Sequence, residues 1–89
     1  MAIQQVQTRV RKSGWSLNSK AFGVGYREAI KGLPLRYDAF ADNIDEQWNY
    51  ERGRLFAQLY RGELKDHRRR LTYGAQIAYA NAVRERIIF

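Results

Sequence analysis

Between Phe22 and Phe56 a lone proline, Pro34, divides two stretches of helical patterning, and both place glycine close to an aromatic ring. Gly25-Tyr26 and Gly32 lie in the first stretch, Tyr50 and Gly53 in the second. Glycine inside a helix costs about 1 kcal/mol relative to alanine, so these glycines need a structural reason. Rings packed over bare backbone at a helix crossing supply one. Close approach of an RNA backbone supplies another.

The first stretch is expected to form a helix over 18–31. Ser16 or Asn18 is placed to cap it, and Phe22, Tyr26, Ala29, Ile30 and Leu33 fall on one apolar stripe. Gly32 suits its end, and Pro34 opposes its continuation. A second helix is expected over 43–61. Asn43 and Glu46 have capping-box spacing, while Asp42, Asp45 and Glu46 favour the positive end of the helix dipole, so these acids are accounted for without catalysis. Ile44, Trp48, Leu55, Phe56, Leu59 and Tyr60 are its expected buried stripe. Trp48 and Tyr50 stand about 200° apart round a helix, so one of the two should be partly exposed.

Gly62 is expected to break or kink the chain ahead of Lys65, His67, Arg68, Arg69 and Arg70, the densest basic run. On a helix these side chains would spread round the axis; in a turn they would converge on a phosphate. A third helix is expected over 72–87. Its small-residue stripe of Ala75, Ala78 and Ala82 would let another helix approach closely, by packing on the first two helices or as a homodimer seam. The reading is a small all-α, three-helix domain over 16–89, preceded by a basic arm at 1–15. In the arm, Val6, Thr8 and Val10 alternate like a strand, while Ile3, Val6 and Val10 also fit a helix face. The arm reads as a frayed terminus or as a segment that orders on its partner.

Charge narrows the function. With 89 residues and a net charge of +7, the chain is one small basic domain, and twelve of its sixteen cations are arginine. Arginine's planar fork suits phosphate and stacks on bases. Residues 1–20 carry four cations and no acid, residues 51–70 carry a net +4, and the central 21–50 is net acidic. An anionic partner is therefore expected, nucleic acid first. The candidate RNA contacts are Arg9, Arg11, Lys12, Arg27, Lys31, Arg52, Arg54, Arg61, Lys65, Arg68, Arg69 and Arg70, with Tyr26, Trp48 and Tyr50 as packing or stacking aromatics. With no cysteine and only His67, no metal or cofactor is expected. No enzyme is expected either, since no nucleophile–histidine spacing or phosphate loop is present, and Asp66 and His67 would diverge by about 100° on a helix. The absence of any long apolar run predicts a soluble, cytoplasmic protein.

Gly25-Tyr26, Ala29-Ile30 and Gly32, followed by Tyr50, Gly53 and Ala57, resemble the ribosome modulation factor family. These are small basic bacterial proteins of two helices that bind the ribosome and help silence it. The resemblance covers residues 22–57. It departs in the linker, which is shorter on the approach to Tyr37, and at Tyr50, where the family usually carries tryptophan; residues 58–89 extend beyond it. It implies a ribosome-associated RNA-binding protein that modulates translation. The alternative is a small helical adaptor or inhibitor of phage or plasmid type, docking on a host protein complex. A duplex-DNA binder ranks third, because the connection holding Pro34 does not suit a helix-turn-helix.

Overall fold

A computed structural model describes residues 16–88. The basic arm, with Arg9, Arg11 and Lys12, lies outside the described residues. After a helical turn at 16–18 come three helices: α1 (Lys20–Ile30), α2 (Ile44–Phe56) and α3 (Tyr73–Arg84). Among the described residues there is no strand, only an isolated bridge between Lys65 and Leu71. The protein is a small all-α domain.

The caps explain the boundaries. Asn43 accepts from the Glu46 N–H at 3.1 Å and Thr72 from the Ala75 N–H at 3.2 Å, so α2 and α3 start where the sequence places them. The first helix is capped by neither Ser16 nor Asn18. Ser19, in extended backbone conformation, accepts from the Phe22 N–H at 3.0 Å, while Ser16 donates to Asn49 Oδ1 at 2.7 Å. At the other end Gly32 takes a positive φ of 76°, and Leu33 N–H reaches back to the Glu28 carbonyl at 2.9 Å, a Schellman closure.

Two helices end earlier than periodicity suggests. Beyond Phe56 the chain tightens into i→i+3 turns, Gln58 N–H to Leu55 O and Leu59 N–H to Phe56 O. This turn brings the Tyr60 ring onto Phe56, with centroids 5.5 Å apart. Beyond Arg84, Arg86 adopts a positive φ of 61°, and the reversal sends Ile88 into the core.

α1 and α2 run antiparallel and meet with their backbones in contact. A Cβ on Gly25 would lie 2.9 Å from the Tyr50 carbonyl carbon and closer still to its oxygen; a Cβ on Gly53 would meet the Phe22 carbonyl in the same way. The crossing decides which face of α2 is inside. Tyr50, Gly53, Phe56 and Ala57 are buried, whereas Ile44, Trp48, Leu55 and Leu59, four of the six residues expected in the stripe, are exposed. In α1 Phe22 and Tyr26 are buried, but Leu33 is exposed beyond the helix end.

The core closes around rings. Phe22, Phe56 and Tyr79 lie mutually 5.6–5.8 Å apart, with edge-on contacts to Tyr79. Ala75 and Ala82 are buried against this cluster and Ala78 packs on it, so the alanine stripe faces the chain's own core and is not a free dimer seam.

Candidate nucleic-acid interface

Tyr26 organises the basic side of the molecule. Its ring is buried, and its hydroxyl donates to the Gly62 carbonyl and lies 3.1 Å from that of Tyr60. Burial, reinforced by the neighbouring Tyr60, pushes the phenol above its ordinary pKa. The bond ties residues 60–62 to α1 and so draws Arg61 and Lys65 towards Arg27 and Lys31. All four border an open cleft of about 510 Å³, with Ile30 and Leu64 among its apolar lining. Among the described residues Glu63 is the single acid at its edge. None of the four cations is in an ion pair among the described residues.

The arginine run follows in a closed turn rather than a helix. Asp66 Oδ1 accepts from the N–H groups of Arg68 and Arg70 at 2.8 and 3.0 Å, and Asp66 N–H donates to the Arg70 carbonyl at 2.8 Å. These bonds, that from Arg70 first, hold the Asp66 carboxyl below its ordinary pKa. Arg69 sits at a positive φ of 62°, and the Arg70 guanidinium returns to Asp66 at 3.6 Å. Arg68, Arg69 and Arg70 are exposed, as is His67. Asp66, set aside as a catalytic partner of His67, is the pin of this turn.

Arg52 and Arg54, two of the expected RNA contacts, are engaged within the fold, and Tyr26 and Tyr50 take the packing role of the two expected for them. Arg52 is only 5 % exposed; it donates to the Tyr79 hydroxyl at 3.0 Å, and its guanidinium lies 4.1 Å from the centroid of Trp48. That bond carries its side chain to α3, on which Tyr79 lies. Arg54 donates to the Leu33 carbonyl at 2.7 Å and approaches Glu28 at 3.7 Å. Tyr50 is fully buried and donates to Glu28 Oε1 at 2.6 Å, and Tyr26 is held as described. Neither tyrosine presents a face to a base. Trp48 is 52 % exposed, with the Arg52 guanidinium over its ring.

Glu28 is the residue that sequence reasoning missed. It receives Tyr50, the Arg36 guanidinium at 2.6 Å and the approach of Arg54, and so fastens the 33–36 segment to both helices. The Arg36 hydrogen bond, followed by that of Tyr50, holds its carboxyl below the ordinary glutamate value. No spacing signals this, because its partners lie 8, 22 and 26 residues away. Tyr37 and Tyr73 are also strongly exposed and were not singled out as surface aromatics.

Among the described residues no group of three His, Cys, Asp or Glu is placed to hold a metal, and no helix is long and apolar enough to cross a membrane. Comparison with protein families, curated proteins and solved structures returned no match.

Proposed function

We propose that this chain is a small basic RNA-binding protein that associates with the ribosome and modulates translation in the cytoplasm. The observation that carries this reading is the convergence of Arg27, Lys31, Arg61 and Lys65 on one cleft, continued by the exposed Arg68, Arg69 and Arg70 of the next turn. These seven cations outnumber the acids among them, Glu63 and Asp66, and a polyanion relieves their mutual repulsion. The ribosome as target rests on the resemblance of residues 22–57 to the ribosome modulation factor family; two glycines of that pattern, Gly25 and Gly53, are those of the helix crossing.

Cosedimentation with purified ribosomes tests the reading, at 50 and 200 mM salt and after nuclease treatment. Binding that weakens on the order of 10³-fold across that range, as about six phosphate contacts would give, and that nuclease abolishes, supports it. Salt-insensitive or absent binding overturns it.

A second reading, a helical adaptor docking on a protein complex, is favoured by one observation. Ile44 and Trp48, one turn apart on α2, are 83 % and 52 % exposed and form an apolar face. In that case a protein partner survives nuclease treatment, and Trp48→Ala releases it.

A further inference from the structure

The basic cleft has a property that phosphate binding alone does not use: an apolar interior. Surface cations on a convex face are sufficient to hold the outside of a duplex. Here Arg27, Lys31, Arg61 and Lys65 instead surround a concavity into which Ile30 and the largely buried Leu64 face. Its volume of about 510 Å³ falls within the range of sites that enclose a small molecule.

We infer that this cleft seats one unpaired nucleotide of a single-stranded RNA, its base over Ile30 and Leu64 and its flanking phosphates on Arg27 and Lys31 from α1 and on Arg61 and Lys65 from the opposing segment. The inference rests on the RNA-binding reading and specifies the ligand of that site. Three features favour it. The base is the apolar-faced part of RNA, and only an unpaired one can turn into a concavity; the bases of an A-form duplex lie stacked within the helix. Charge stands on both sides of the cleft, on α1 and on the 61–65 segment, so a backbone crossing its mouth meets cations on entering and leaving. The Arg61 guanidinium is already anchored by donation to the Ala57 carbonyl at 3.3 Å, which presents a planar cation at the rim without the entropy of ordering a free side chain. The Tyr26 ring is buried, so the base rests on aliphatic surface and guanidinium rather than on an aromatic platform.

The test is an amide chemical-shift titration of the full chain with a single-stranded RNA hexamer, a blunt RNA duplex carrying the same number of phosphates, adenosine monophosphate, and inorganic phosphate. The hexamer is expected to bind about tenfold more tightly than the duplex, the order given by burying roughly 50–60 Å² of one base face on apolar side chains. It and the mononucleotide shift Ile30, Lys31, Leu64 and Lys65, whereas inorganic phosphate leaves Ile30 and Leu64 in place. Lys31→Ala and Lys65→Ala, both exposed and outside the core, remove the tenfold preference with the fold intact. Equal or tighter binding of the duplex, with shifts confined to 66–70, overturns the inference and leaves the RNA reading standing. No binding of either RNA overturns both.

Discussion

Gly25 rests its Cα directly against the peptide carbonyl of Tyr50, and Gly53 repeats the contact against Phe22 in the opposite direction. The pair is reciprocal, so the two helices cannot slide without bringing a residue that bears a Cβ against the partner backbone.

A methyl group at either position therefore has no room, because the obstacle is backbone rather than a side-chain tip. Gly25→Ala and Gly53→Ala are each expected to cost about 2–3 kcal/mol, seen as lower urea midpoints. Gly23 gives the opposite result. Among the described residues a Cβ there meets only the flexible end of Arg27, 3.1 Å away, so Gly23→Ala should raise the midpoint by up to about 1 kcal/mol through helix propensity. If all three alanine variants behaved alike, the crossing would not be where stability is decided.

Glu28 predicts an acid-sensitive step. Its carboxyl is held low by Arg36 and Tyr50 in the folded chain. A depressed carboxyl contributes stability that is fully present above the ordinary unfolded value near ~4.3 and lost as pH falls through the folded value. Glu28→Gln should lower stability at pH 7 by about 1–2 kcal/mol, since three donors then share a neutral acceptor. The difference between wild type and variant should shrink by pH 3, where the wild-type carboxyl is itself protonating. A difference independent of pH would mean that the side chain acts by packing alone.

These two sites show what the sequence could and could not express. Asn43 was legible because a cap acts on residues three positions away, and the glycines because bare backbone in a helix needs a reason. The inner face of α2 was not legible. Apolar residues surround that helix, and Gly53, by admitting α1, selects Tyr50 and Phe56 over Ile44 and Trp48. Arginine misled for a related reason, because the same side chain serves as a phosphate fork or an internal strut. Arg52 and Arg54 flank Gly53 and became struts, whereas Arg61 lies past the helix end and stays at the surface. The cleft needed Arg27 and Lys31 to meet a segment some thirty residues on, a contact made through Tyr26 and the carbonyls of Tyr60 and Gly62.

Arg52 carries a prediction that separates strut from ligand. Its guanidinium is buried between Trp48 and the Tyr79 hydroxyl, and its Nε has no hydrogen-bond partner among the described residues. Removing one partner of a buried polar contact leaves the other unpaired, whereas replacing both by apolar groups costs little. Tyr79→Phe should therefore destabilise by about 1–3 kcal/mol, while Arg52→Met combined with Tyr79→Phe should lie within about 1 kcal/mol of wild type. Thermal denaturation of both variants checks the order. A reversal would show that the arginine's charge, not its neighbours, sustains the site.

Arg52→Met alone anchors the last prediction, on how affinity for single-stranded RNA responds to salt. Each phosphate neutralised on a single strand contributes about 0.7 to the slope of log affinity against log salt. Exchanging Lys31, Arg61 and Lys65 together for alanine should reduce the slope by about two units, and so should exchanging Arg68, Arg69 and Arg70. The two triples must differ in another respect. The cleft triple should also lose the preference for single strand over duplex, whereas the turn triple keeps it, because the turn offers charge without an apolar floor. Arg52→Met should leave the slope unchanged, since a guanidinium enclosed by Trp48 and Tyr79 releases no counterion from RNA. Fluorescence-anisotropy titrations at four salt concentrations resolve all three slopes. A fall in slope for Arg52→Met as large as for one exposed cation would place that arginine on the RNA and move the interface from the α1 cleft to the Trp48 face of α2.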